Sequence, residues 1–519
     1  MTVRLDPASV ATLAAPTGPA DPVVRALFDA RRAQTIAGLP YLADRLGDEA
    51  PELLGRTGLA ESIAALAATS PAAQERVFAH PATAFWIDVA WDLIRRQAHR
   101  RHPDMHVRAH LEDLGRFVLA AVYADGRECV SRTVHTDAVG GFALPGTDCY
   151  VQASSEPYSP VCVEVAYGTL SLKSTEVPRL RSGLRFDWLD HDLHLAGRTA
   201  STFAEPDPAA AAAWLEGLQL AWSTVEEGTP DLAAEMKLGL HTIVPVVSAS
   251  PDVHLSASFS EAPGLVAMSY GATGLLAEAL VHEYHHQKLN ALMMLDPLVA
   301  GPSPAAVYYS PWRPDPRPLT GLLHAVYTFA NILAYYLDLL DRPPATMGAE
   351  EIGRAGERAH LIFGQVDAGL AELGEHARLT AFGQALVDAV AIRAGQLRER
   401  LPVIGDEAVS ALARRRREHR AQWDDRHGVD TAAKRSTVDS YAKALSDVEL
   451  SVLTELGVET PRLWATDGYL ERVRALMADG SGSALGDLVR ATSVGESRVV
   501  DLIGGHVTYA ARDYEAAAA

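Results

Sequence analysis

The chain has little lysine, little cysteine and no long apolar run. Of its 46 basic residues only five are lysine (Lys173, Lys237, Lys288, Lys434, Lys443); with abundant alanine, this reads as a GC-rich coding bias rather than a functional choice. Cys129, Cys149 and Cys162 have no C-x-x-C spacing, which argues against a disulfide scaffold or a thiolate metal site. They read as free thiols of a reducing cytoplasm. No stretch approaches about 18 consecutive apolar residues, and Asp6, Pro16 and Pro19 interrupt the N-terminus where a signal sequence would need an apolar core. Positive charge is also short: a net charge of −20 argues against nucleic acid or an anionic membrane as the main partner. The expectation is a soluble, cytoplasmic protein.

What the chain does have is core-forming material. Its 519 residues, 48% apolar, suffice for roughly two to four domains. Residues 1–22, rich in Ala, Pro and Thr, read as a loose arm. From Val23 to Tyr123, apolar residues such as Val24, Leu27, Phe28, Phe85, Trp86 and Val89 recur largely at the three- and four-residue steps of helices. Between Gly126 and Gly197, short β-rich runs (161–165, 184–188) alternate with Gly, Pro and Ser clusters. A helix is expected near 208–224, strands at 241–247 and 264–269, and helices at 275–295, 319–341 and through 346–424. The predicted class is α+β, mainly α, with a zincin-like metal-binding helix packed on a small sheet. The predicted regions are an N-terminal helical region (1–125), a β-rich region (126–200), a metal-binding catalytic core (201–430) and a helical C-terminal region (431–519).

The apolar stretch 275–295 contains His282-Glu283-Tyr284-His285-His286, an H-E-x-x-H signature. Residues four apart lie one helical turn above each other, so His282 and His286 can aim at one divalent metal with Glu283 beside them. The composition predicts roughly 0.09 chance occurrences per chain, so the motif carries information. His285, three residues from His282, fits the signature less well and is expected to make a supporting or surface contact. A catalytic site needs a third protein ligand and open positions. Leu289 and Leu292 stand where a metzincin would have Gly and His. The helix at 319–341 lacks a gluzincin Glu-x-x-x-Asp, its only acids being Asp338 and Asp341. It does carry His324 near its start. A lone histidine on an apolar face is usually a core residue, but this one opens the next long helix, making His324 the candidate third ligand.

Three neutral imidazoles would leave the metal's +2 charge unbalanced and favour an anionic co-ligand. The intervening stretch 308–318 holds Pro311, Pro314, Pro316 and Pro318, too many for a helix interior or central strand, so it reads as a stiff loop. Its Arg313 and Arg317 have forked guanidiniums suited to a carboxylate, and Tyr308 and Tyr309 add hydroxyl donors. Two weaker candidates remain. Asp190-His191-Asp192-Leu193-His194 looks like a ligand cluster, but strand alternation would put His191 and His194 on opposite faces. The basic run 95–102 is more simply a solvated helix end than a receptor for an acidic peptide segment.

Leu280-Val281-His282-Glu283-Tyr284-His285-His286, the Tyr-Ser-Pro-Trp-Arg-Pro-Asp-Pro-Arg-Pro loop at 309–318 and Gly-Leu-Leu-His at 321–324 together resemble the HEXXH-motif proteins of ribosomal peptide natural-product biosynthesis. The resemblance is tight over about 240–340 and looser elsewhere. It implies an Fe(II)- and 2-oxoglutarate-dependent dioxygenase that hydroxylates the β-carbon of a residue in a precursor peptide, with a radical-SAM enzyme of the same pathway as a further partner. Carried onto this chain, it makes His282, His286 and His324 the iron ligands, and Arg313 or Arg317, with Tyr309, the 2-oxoglutarate anchor. Glu283 becomes a residue orienting a histidine or water. The competing expectation is a zinc metallohydrolase acting on a peptide, with Glu283 as the catalytic base. A third is a non-catalytic precursor-binding protein with a structural metal.

Overall fold

A four-stranded sheet divides the apolar interior in two. The computed structural model describes residues 6–95, 106–193, 204, 206–248, 254–296, 298–299, 307–345 and 347–446, and the account below concerns those residues. The N-terminal part is helical: α1 (Pro7–Thr12), α2 (Pro22–Glu49), α3 (Pro51–Thr57), α4 (Leu59–Ala68), α5 (Pro71–Phe78), α6 (Pro81–Arg95), α7 (His106–Glu112) and α8 (Leu114–Asp125). Proline repeatedly opens these helices, where its fixed φ suits the first turn and its missing N–H costs nothing. Asp21 and Ser70 cap the N-termini of α2 and α5.

Next come β1 (Cys129–His135), β2 (Gly141–Leu144), β3 (Cys149–Gln152), β4 (Pro160–Ala166), β5 (Thr169–Leu170), β6 (Ser174–Glu176) and β7 (Arg185–Phe186). Six of them form two small antiparallel sheets, ordered β1-β4-β5 and β2-β3-β6. The remainder is α9 (Pro208–Gly228), α10 (Pro230–Gly239), β8 (Thr242–Val246), β9 (Ser256–Ser258), β10 (Leu265–Ser269), α11 (Thr273–Met293), α12 (Leu319–Asp341), α13 (Ala349–His376), α14 (Ala381–Arg398) and α15 (Asp406–Ser446). The protein is thus mainly helical with small sheets, as the sequence pattern predicts. No helix among the described residues is long and apolar enough to cross a membrane.

The dividing sheet has the order β7-β8-β10-β9. β8 is parallel to both β7 and β10, whereas β9 runs antiparallel to β10 at the edge. Every residue of β8 and β10 is buried, as expected of strands covered on both faces. Their side chains alternate between two cores. Ile243, Val266 and Met268 join α9, α11 and α12, whereas Val244, Val246, Leu265 and Ala267 join the core built largely by α2 to α8. Contacts therefore cross the sequence-based boundaries, since β7 from the β-rich stretch completes a sheet of the next region.

The arm at 1–22 is not loose where it is described. Val10 and Leu13 are 0% and 1% exposed, and α1 packs on α14. Leu13 O accepts from Tyr327 Oη at 2.8 Å, and Arg393 donates to Ala14 O. The backbone N–H groups of Thr17 and Gly18 donate to Glu235 Oε2 at 2.9 and 3.1 Å. Glu235 Oε1 takes Lys288 Nζ at 2.7 Å and Tyr284 Oη at 2.6 Å. A fully buried carboxylate needs this many donors to offset its lost hydration, and that need recruits the arm. Replacing Lys288 with Met leaves Glu235 without its countercharge; we expect a loss of roughly 3 kcal/mol in urea unfolding. A change within about 1 kcal/mol would show that the backbone and tyrosine donors alone satisfy Glu235.

Candidate metal centre

α11 is buried nearly all round, packed by α2, α9, α10, α12, β9 and β10, so most of its polar side chains need partners inside the protein. Four-residue spacing puts His282 above His286, with their Nε2 atoms 2.9 Å apart and the rings edge to face. Glu283 is 2% exposed and accepts from Ser256 Oγ at 2.6 Å, which ties the motif glutamate to the edge strand β9. The sequence pattern gives no sign of this three-residue strand. His285 is turned into the core. It is fully buried between Tyr284 and Tyr327, with Nδ1 2.8 Å from Val281 O, so of the supporting or surface contact expected for it the surface one does not occur.

His324, in the second turn of α12, meets His286 with Nδ1 atoms 3.1 Å apart. The three candidate ligands are therefore together, in a chain running 282–286–324. His286 offers Nε2 to His282 and Nδ1 to His324, and Thr328 Oγ1 lies 3.3 Å from the same Nδ1. A neutral imidazole has one N–H and one lone pair, so His286 can donate to one neighbour and accept from the other. In these rotamers the nitrogens do not surround one point, and no closed group of three metal-ligating side chains occurs among the described residues. Turning a ring is needed before all three could share an ion. Burial first, then the charges of neighbouring groups, hold His286 well below the usual histidine range and His324 at about 4. These two rings are neutral near pH 7, the form that binds metals.

The loop at 308–317 is closed by paired backbone bonds between Tyr308 and Arg317, both 2.9 Å. It treats the two candidate arginines differently. Arg317 lies at the entry to α12, and its charge bears on both His286 and His324; its side chain is 19% exposed, with Asp315 at 3.6 Å. Arg313 points to solvent and pairs with Asp315 at 2.9 Å. Tyr309 is engaged elsewhere, with its Oη 3.0 Å from His419 Nδ1, its N–H on Glu372 and its ring under Arg420. It is not brought to the histidines. Trp312 instead stacks on Phe329 at 5.0 Å, and Phe329 abuts His282 edge to face at 5.1 Å, so the loop walls the cluster with aromatic rings. Ser256, Thr328, Trp312 and Phe329 carry no ligand signature, and only the structure reveals their part.

Of the weaker candidates, the structure describes only part of the 190–194 cluster. Residues 190–193 form a turn rather than a strand, and Asp192 bonds Arg116 at 2.6 Å while Arg116 also holds Asp113 at 2.9 Å. Those acids answer a buried guanidinium. His194 and residues 96–102 of the basic run lie outside the described residues, as does 447–519 of the C-terminal region. No protein-family model matches the chain, and no curated protein matches it either.

In the metal-free protein, His324 should titrate near pH 4 in an NMR experiment. An unfolded histidine takes its proton near 6.5, so between these values the unfolded state binds more protons than the folded one. The stability contribution is therefore complete above about pH 6.5 and is lost as pH falls toward 4. Titration of His324 near 6.5 would mean that its ring is open to water and the cluster is not closed.

Proposed function

We propose that the protein is an Fe(II)- and 2-oxoglutarate-dependent dioxygenase that hydroxylates the β-carbon of a residue in a ribosomally made precursor peptide. The observation carrying this reading is the meeting of His282, His286 and His324 from two successive helices, with the Arg317 charge beside them. The residues suit the ion in donor chemistry: the Nε2 atoms of His282 and His286, 2.9 Å apart, have about the spacing of neighbouring ligands on one divalent metal, and a turn of the His286 or His324 ring would bring the third donor to them. When bound, iron would let dioxygen act as the oxidant of an unactivated carbon, with 2-oxoglutarate giving up the other two electrons as it becomes succinate and carbon dioxide.

The chain's own residues have separable tasks. His282, His286 and His324 hold the ion through neutral rings. Arg317 binds a co-substrate carboxylate with its guanidinium fork, a contact that would draw it from its loose pairing with Asp315. Trp312 and Phe329 keep bulk water from the ring of His282. Ser256 holds the Glu283 carboxylate at Oε1, which favours a positioning role for Glu283 over that of a free base. One feature supports the zinc metallohydrolase alternative: β9 is an antiparallel edge strand directly bonded to the motif glutamate, a geometry that could also steady a peptide beside a metal-bound water.

The test is anaerobic loading with Fe(II), then air, 2-oxoglutarate and the precursor peptide encoded nearby. The expected result is a peptide mass gain of one oxygen with succinate release. Arg317→Gln should raise the KM for 2-oxoglutarate roughly tenfold or more, with Arg313→Gln close to wild type. Glu283→Gln should weaken hydroxylation without abolishing it. Peptide cleavage that needs zinc, ignores oxygen and vanishes in Glu283→Gln would overturn the proposal in favour of the hydrolase.

A further inference from the structure

Outside the histidine cluster, a cavity of about 290 Å³ opens where the α5–α6 junction, the segment leading into β7 and the end of α10 meet. Arg76, His80, Arg179, Arg185, Lys237 and His241 line it, and no carboxylate does. In a chain with 66 acidic and 46 basic residues, this local reversal of sign calls for an explanation.

The counterions nearby are too few. Asp148 is shared, with Oδ1 taking Arg185 Nε at 2.8 Å and Oδ2 taking Arg179 Nε at 2.7 Å. Arg185 is only 6% exposed, yet its terminal nitrogens make no hydrogen bond to a described residue. Lys237 pairs with Glu226 at 3.0 Å, and Arg76 has no ion pair with a described residue. Four cations thus face two bonded carboxylates, and the buried Asp187, whose charge also acts on Arg185, is the one further acid that bears on it, so positive charge is in excess. The histidines register the same field. Burial first, then the charge of Arg185, keeps His80 well below its ordinary range and His241 at about 4, and among the causes of either shift no carboxylate opposes them. A buried guanidinium whose terminal donors bond no described residue, beside a neutral histidine pair, has the chemistry of an anion receptor.

We propose that this cavity binds a phosphorylated small molecule, with the phosphoryl oxygens between Arg179 and Arg185 and Lys237 at the rim. A phosphate monoester carries close to two negative charges near pH 7 and three acceptor oxygens, which suits the excess of positive charge and the divergent donors. The volume is near the lower end of small-molecule pockets, leaving room beyond the phosphoryl group itself. The site is independent of the metal reading, because none of its lining residues belongs to the histidine cluster.

The test is calorimetric titration of the full metal-free chain in chloride buffer with inorganic phosphate, glucose 6-phosphate and, as a dicarboxylate control, glutarate. Both phosphate species should bind, and glutarate at least roughly tenfold more weakly. Arg179→Gln and Lys237→Gln, both at partly exposed positions that the fold should tolerate, should each weaken phosphate binding roughly tenfold. Arg354→Gln, a surface control paired with Glu350, should leave it unchanged. Absence of phosphate binding, or undiminished affinity in both cavity variants, overturns the site. Glutarate binding as tightly overturns the phosphoryl assignment, and binding of inorganic phosphate without the ester overturns the small-molecule assignment. None of these results depends on iron or 2-oxoglutarate, so failure here is distinct from failure of the oxygenase reading.

Discussion

The contact of His286 with His282 on one side and His324 on the other is the interaction on which the rest depends. α11 is enclosed by helices and sheet, and a polar side chain on a helix so enclosed costs stability unless a neighbouring group or a ligand satisfies it. Hydrogen bonding along the three imidazoles meets that requirement without a metal. An ion would replace two neutral contacts with stronger bonds to one nitrogen of each ring, at the cost of turning a ring. On the proposed reading the cluster is both self-satisfied and convertible, and burial keeps the rings of His286 and His324 in the neutral form that a metal requires.

The surrounding architecture fixes that contact in space. The sheet β7-β8-β10-β9 sets the depth of α11, because its inward residues Ile243, Val266 and Met268 share a core with Leu276, Leu280 and Tyr284. Lys288 and Glu235 then pin the far end of α11 to α10 and to the arm preceding α2. On the open side, Trp312 and Phe329 tie the proline-rich loop to His282, and the backbone pairing of Tyr308 with Arg317 delivers the guanidinium to the entry of α12. The loop's four prolines make this placement inexpensive, since little chain entropy remains to be lost on ordering.

Much of this was legible in the sequence for identifiable reasons. Helical periodicity located α11 and α12 within two residues or so, and i,i+4 spacing brought His282 and His286 together. His324 was found because it sits near the start of the next long helix. What stayed hidden depends on tertiary geometry. Nothing in residues 256–258 announces a strand, because β9 exists only by pairing with β10. Arg313 and Arg317 look equivalent between prolines, and only the loop's closure turns one inward and one outward. Tyr309 reads as a hydroxyl donor for the site, yet α13 and α15 claim it through Glu372 and His419. The arm at 1–22 looks loose because its composition is weak; it is ordered by Glu235, more than two hundred residues away in sequence.

The most direct test of the central claim is to locate the ion. Crystals of the metal-loaded chain, with anomalous scattering recorded at the metal edge, should give a single peak with one nitrogen each from His282, His286 and His324 at about 2.1 Å. A peak elsewhere, or one coordinated without residue 324, would contradict the account.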